Sequence, residues 1–394
     1  MKWSSAISRE HEAADAVREC LAKVTRELNG AQPDALFVFV SPHHSADYDL
    51  ILGQLQLSLR PKHLLGCSGG GVIGAGSEVE DMPGLSITAA LLPGVHLKSM
   101  SLGDENLPDA DASPRAWEEM VGVQAVDEPQ FLLLLSPFMG RGEDLLAGLD
   151  YAFPHAQKVG GQVSGLRGIG ERAMFLGAER ASDGALLLSM SGDIRVDTLV
   201  AQGCRGIGGV YTITKCDRNL LHEIDSKPAL KLLTEVFEAA SPAERALMNR
   251  ALFVGLITDP LLPWPPKHGD FLIRNVMGID VGQRSIAVAA ELREGQALRF
   301  HIRDSEAAAE DLKSILEQYQ KSPQSGTPAG ALLFSCLGRG EGMYGVSDHD
   351  SRAFLECFGE VPLGGFFCNG EIGQVGSSTY IHGFTSSFGL FRSK

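Results

Sequence analysis

Paired cysteines are missing from this chain. The seven cysteines (Cys20, Cys67, Cys204, Cys216, Cys336, Cys357 and Cys368) are scattered, and no two stand in C-x-x-C spacing. That excludes a zinc ribbon and a thioredoxin-type motif, and reduced thiols in a cytoplasmic protein are the simplest account. No apolar run approaches the roughly 18 residues that a bilayer-spanning helix needs, so no membrane insertion is expected. The opening MKWSSAISREHEAADAV has no apolar signal-peptide core, and no targeting segment is expected. A basic cluster is absent too. The net charge of −15 is spread along the chain and repels phosphate backbones and anionic lipid, which argues against a nucleic-acid partner. There is no Walker pattern, no zincin or deaminase histidine spacing and no coiled coil. Neither a metal nor a cofactor is expected.

Glycine is what the chain has in excess, 46 of 394 residues, and it marks tight turns and close backbone approaches. The length exceeds what one core serves, which predicts two domains, 1–226 and 227–394. The glycines fall in a repeated order. Ala35 to Pro42 (ALFVFVSP) and Phe131 to Pro137 (FLLLLSP) are apolar strands halted by the same Ser-Pro pair. Each leads to a helical stretch, Asp47 to Leu59 and Glu143 to Ala152, and then to a glycine cluster at 65–69 or 160–165. The interval from Ser41 to Gly66 and from Ser136 to Gly161 is 25 residues in both. A hairpin follows each. Weaker echoes at Leu252 to Ile257 and at Ala331 to Cys336 bring the expected count of units to four. The predicted fold class is therefore α/β in the mixed α+β sense, with two pseudo-equivalent domains of duplicated strand-helix-strand-hairpin units and mixed sheets covered by helices. Between the units, Ser226 caps a helix with its apolar face at Leu230, Leu233, Val236 and Phe237, and Asp304 begins another. Residues 259–266 (DPLLPWPP) read as a rigid extended loop and 322–327 as a surface loop.

Several motifs carry chemistry on paper. Gly66-Cys67-Ser68-Gly69-Gly70 satisfies G-x-S-x-G, but the glycines that follow cannot begin the helix that a nucleophile elbow requires. The overlapping G-x-G-x-x-G at 69–74 fails as a dinucleotide site for the same reason. Glycine loops at strand ends either expose amides to an anion or mark close backbone approach. Arg274 and Asn275 stand among apolar residues in HGDFLIRNVMGID (268–280). Arg339 lies between two glycines after Cys336, and Cys368, Asn369 and Glu371 share one turn. An arginine fork can hold a carboxylate and Glu371 an ammonium, the two needs of an α-amino acid; an internal ion pair is the competing reading. The histidines, including His43, His44 and His349, read as surface residues. Cys67, Cys336 and Cys368 read as buried small hydrophobes, with no histidine placed as their base.

These stretches resemble the FIST family in its paired N-terminal and C-terminal domain arrangement. The matching segments are Ser41-Pro42-His43-His44, LLGCSGGGVIGAG (64–76), HGDFLIRNVMGID (268–280), ALLFSCLGRG (331–340), GGFFCNGEIGQVG (364–376) and IHGFTSSF (381–388). The resemblance implies a sensory module for small ligands such as amino acids, with signalling partners, and similar domains occur in F-box adaptors that recruit proteins. The expected protein is a non-enzymatic sensor. A small polar ligand is expected between its halves, contacted by Gly66, Cys67, Ser68, Gly69, Gly70, Arg274, Asn275, Cys336, Arg339, Cys368, Asn369 and Glu371. A protein-interaction scaffold without a small ligand, and an enzyme using one of the three thiols, are the alternatives.

Overall fold

A computed structural model describes residues 1–109, 111–166, 171–259, 261–322 and 326–394. Pro260 and residues 323–325 of the two expected loops lie outside the described residues. The chain forms a mixed α/β structure in two compact units, one of residues 1–200 and 312–394 and one of residues 201–311.

The larger unit is built from three copies of one motif. In each, a buried strand is followed by a helix and a second strand parallel to the first. The sets are Ala35–Val40, Tyr48–Leu59 and His63–Ser68; Gln130–Leu135, Gly142–Ala152 and Lys158–Gln162; and Gly330–Cys336, His349–Phe358 and Leu363–Cys368. All residues of the three leading strands are buried, which is why they read as unbroken apolar runs. An antiparallel strand closes the other side of each leading strand: Leu85–Leu91, Ala185–Gly192 and Thr385–Arg392.

The copies trade their outer strands in a cycle. The hairpin after the first copy, Gly71–Gly74 with Ser77–Glu80, pairs with Leu363–Cys368 of the third. The hairpin of the second, Met174–Leu176 with Glu179–Ala181, pairs with His63–Ser68 of the first. That of the third, Glu371–Val375 with Ser378–His382, pairs with Lys158–Gln162 of the second. On the opposite edges, Val95–Leu102 joins the second sheet and Arg195–Gln202 the third. The matching place in the first sheet is filled by the N-terminal strand Lys2–Ser8. Three six-stranded sheets result. Phe37, Phe39, Leu132, Leu134, Leu332 and Phe334 point from all three into one shared core. The alternate residues of the first two leading strands (Leu36, Val38 and Val40; Phe131, Leu133 and Leu135) lie in separate cores that include their helices.

Among its described residues, the smaller unit has no such copy. Leu252–Ile257, expected as a fourth repeat, is antiparallel to both neighbours, Phe271–Asp280 and Ala297–Arg303. Hydrophobicity alone could not reveal that direction. Cys204–Asp217, Ala297–Arg303, Leu252–Ile257, Phe271–Asp280, Ser285–Val288 and Leu220–Ile224 pair in that order. The last also pairs with the first, so the sheet closes into a barrel. Ile213, Leu221, Val254, Ile286, Leu298 and Phe300 belong to its core, with Leu232 and Leu233 of the helix Ala229–Ala239. Pro228, not Ser226, precedes that helix, and Ser226 sits at φ 62° in a turn. Asp304 does cap the helix Ser305–Lys321, its carboxylate accepting from the Ala307 amide at 3.1 Å.

Candidate functional site

The second strand of each copy carries a glycine within it for a steric reason. A β-carbon on Gly66, Gly160 or Gly365 would run into the backbone carbonyl of its register partner, Val38, Leu133 or Leu333. Gly160 and Gly365 also have positive φ, 156° and 150°. Beyond these points the three loops are stitched together. The Ser68 hydroxyl donates to the Ser164 carbonyl at 2.9 Å, and the Gly70 amide to the Ser164 hydroxyl at 2.8 Å. Ser164 itself donates to the Phe367 carbonyl. Gln162 donates its amide to the Gly370 carbonyl at 2.7 Å, and Asn369 donates its own to the Gln162 carbonyl at 3.1 Å and its side chain to the Val163 carbonyl at 3.0 Å. Gly66 to Gly70 therefore serve close approach; Gly69 and Gly70 give their amides to Val40 and Ser164 and leave no open cradle for an anion. Ser68 is followed by a strand, Gly71–Gly74, so it has no elbow geometry.

Comparison of the copies singles out the third. Val40 opposite Leu85 in the first and Leu135 opposite Ala185 in the second become Ser335 opposite Ser386. Val72 and Met174, each one residue before the position that faces the close-packed glycine, become Glu371. The acidic second residue of each helix is exposed in Asp49 and Glu143 but buried in Asp350. Three apolar positions have become polar, all in one neighbourhood.

Arg339 is the centre of that neighbourhood and is 1% exposed. Its Nε and Nη2 donate to the Asp350 carboxylate at 2.8 and 3.1 Å. Ser335 and Ser386 donate to Asp350 Oδ2, and His349 Nδ1 lies 3.0 Å from Oδ1. Burial would raise the pKa of Asp350, but the Arg339 guanidinium and these hydrogen bonds hold it well below the usual carboxylate range. Arg339 Nη1 is buried and has no hydrogen-bond partner among the described residues. The Tyr344 ring lies 5.5 Å from the guanidinium and stacks on His349 at 3.5 Å. His349, expected at the surface, is thus half-buried and engaged, and His44 is buried too.

Glu371 stands on the other side of the serine strand. Its Oε2 accepts from the Thr385 amide and hydroxyl at 3.0 and 2.8 Å, and its Oε1 from the Cys368 thiol at 3.4 Å. Burial pushes its pKa up to about 7, against the Thr385 bonds and the Arg339 charge. The same burial pushes the Cys368 and Cys67 thiols well above their ordinary value, so neither is a ready nucleophile. Cys336 and Cys368 face each other in parallel register. The internal ion pair weighed from sequence is real, but its acid is Asp350 and not Glu371. Asp350 escaped sequence reasoning, because its position is acidic in all three copies. The available signal was the polar departure of Ser335 and Ser386, which bond it, from apolar residues in the other two copies. Arg274 and Asn275 belong to the smaller unit, on the strand Phe271–Asp280, half-buried and exposed. Among the described residues, no group of three or more His, Cys, Asp or Glu is placed to hold a metal ion, and no helix is long and apolar enough to cross a membrane.

The larger unit is thus a threefold repeat of parallel strand pairs, each closed over a close-packed glycine, and comparison with known proteins places it. The FIST N domain matches residues 34–227 and the FIST C domain residues 229–374; the chain belongs to the FIST family. FIST domains are associated with signal-transduction sensing. The chain is similar to the uncharacterized protein Rv0628c of Mycobacterium tuberculosis, 32% identical over 99% of this chain and 100% of that protein. It is similar at 32% to the uncharacterized protein Mb0898c of Mycobacterium bovis, over 99% of both chains. A shorter similarity, 31% identity over 28% of this chain and 21% of the other, links it to the F-box/LRR-repeat protein At5g63520 of Arabidopsis thaliana.

Proposed function

We propose that this chain is a cytoplasmic sensory protein that binds a small polar ligand in its larger unit, at the polar cluster of the third copy. The observation that carries the reading is Arg339 Nη1, a buried donor with no acceptor among the described residues, whose buried polar groups are otherwise mostly paired. Because Asp350 occupies the fork, the ligand docks an acceptor on one nitrogen, and an amino-acid-like ligand would set one carboxylate oxygen there and its ammonium toward Glu371. Binding, not catalysis, is the proposed activity. Thermal shifts across a panel of amino acids and neutral polar metabolites test it. A ligand at a hundredfold its Kd stabilises by about 2.7 kcal/mol. Arg339→Lys keeps the charge, cannot present the same nitrogen, and should abolish the shift. No stabilising compound, or an equal shift in the variant, would overturn the reading.

A second reading, a protein-interaction scaffold, draws on Met277, Ile279 and Val281, alternate residues that are 66%, 47% and 75% exposed in the smaller unit. The F-box relative supports the same idea by analogy. A native-lysate pull-down that returns no stoichiometric partner would oppose it.

A further inference from the structure

The segment that carries Arg339 also covers it. Residues 337–348 leave the strand end, fold back over the guanidinium through Tyr344 and deliver the chain to the helix His349–Phe358. Gly340, Gly345 and Asp348 have φ of 68°, 70° and 61°, backbone states that let so short a segment reverse direction.

This cover is held by the other partner of the third sheet, the hairpin of the first copy. Glu80 Oε1 accepts from the Glu341 amide at 2.9 Å. Glu78 Oε1 accepts from the Ser351 amide and hydroxyl, both at 2.8 Å. The Glu78 amide donates to Asp348 Oδ1 at 2.6 Å. One short strand, Ser77–Glu80, thus grips both ends of the covering segment with two carboxylates. Gly340 is pressed against the Glu80 carboxylate, leaving no room for a side chain. Glu78 is 4% exposed, and its Oε2 has no hydrogen-bond partner among the described residues.

We propose that Ser77–Glu80 is a proton-dependent latch on the segment 337–348, closed while the Glu78 carboxyl is neutral and released when it ionises, so that access of a ligand to Arg339 is controlled from a different copy of the motif. The inference rests on the reading of Arg339 as the ligand site. The charges around Glu78 set the sign. Asp350 lies on the covered helix and Glu80 on its own strand, and both oppose its ionisation. Asp348 is engaged by its amide, and Arg9 donates to its carbonyl. Arg339 is bonded to Asp350, so its positive charge is already directed there, and His349 Nδ1 faces the same carboxylate. Burial first, and then Asp350, place the Glu78 pKa at about 8 against an ordinary 4.5. A solvated Glu78 in the open state titrates near its ordinary value. Opening therefore releases a proton between these limits and becomes easier as pH rises through them, then levels off above the upper one.

Amide hydrogen exchange on the full chain without ligand, corrected for intrinsic rates, reads the latch directly. Protection of amides 341–351 should fall by up to about tenfold per pH unit from about pH 5 to 8 and then plateau. Glu78→Gln should hold protection high and flat, since the amide keeps the Ser351 acceptor without ionising. Ser351→Ala should lower protection at every pH. Flat protection in the wild type, a wild-type slope in Glu78→Gln, or amides 363–368 following the same curve would overturn the proposal. The last result would mean global unfolding. Because no ligand is present, a latch that fails leaves the thermal-shift result standing, and a panel that finds no ligand leaves the latch standing.

Discussion

Gly365 lies so close beneath Leu333 that a β-carbon on it would overlap the Leu333 carbonyl oxygen, and Gly160 beneath Leu133 and Gly66 beneath Val38 repeat the relation. The parallel pair in each copy depends on it. Alanine at any of the three should cost about 3 kcal/mol, since backbone must move to admit it. Alanine at Gly295 or Gly376, which have positive φ and open space, should cost only about 1 kcal/mol. Urea unfolding of the five variants checks the contrast, and equal losses would refute it.

The buried pair of Arg339 and Asp350 predicts an asymmetry. Asp350→Ala strands a guanidinium and should cost about 3–5 kcal/mol, whereas the joint change Arg339→Met with Asp350→Leu should cost less. Asp350 also contributes acid sensitivity: its depressed pKa stabilises the fold above the ordinary carboxylate value, and that stability is lost as pH falls below it. A double-mutant cycle measured at pH 7 and pH 3 reads both effects.

Glu371 has the opposite sign. Its pKa is raised from 4.5 to about 7, so native stability falls as pH climbs through that window. Glu371→Gln should match the wild type near pH 4 and exceed it by on the order of 2 kcal/mol at pH 8. Thermal melts across the range would show two curves that diverge; parallel curves would contradict the assignment.

Thiol accessibility gives a fourth expectation. Cys216 and Cys357 are half-buried, while the other five of the seven cysteines are buried. An aromatic disulfide reagent should titrate two thiols quickly in the native protein and the rest only on unfolding. Rapid reaction at Cys67 or Cys368 would revive the enzymatic alternative.

The sequence made the strands, the helices between them and the glycine turns legible, because buried parallel strands read as continuous apolar runs and positive φ selects glycine. Strand partners were not legible. Val72 and Phe366 are close in space through register, and nothing in the period of either segment names the other. The third copy was visible at Ala331 to Cys336, yet Leu252 to Ile257 looked the same and proved antiparallel on both sides. At the site, Arg339, Cys368 and Glu371 stood out as charges and thiols beside glycine. Asp350 and Glu78 did not, since an acid at a helix start or in an alternating strand is ordinarily solvated, and only the fold removes their water.

The cyclic trade of strands sets an order of events during synthesis. The hairpin Gly71–Gly74 with Ser77–Glu80 emerges long before its partner Leu363–Cys368. Until then its edge is unpaired and open to wrong partners, a hazard of long-range strand pairing. Trp3 and Phe391, far apart in the sequence, stack at 4.8 Å, so an early and a late strand also meet in the shared core. A ribosome that stalls before Gly330–Cys336 leaves the first sheet with all its strands but the second without Glu371–Val375 and Ser378–His382 and the third without its centre, so quality control should find the nascent chain exposed along the edges those strands would cover.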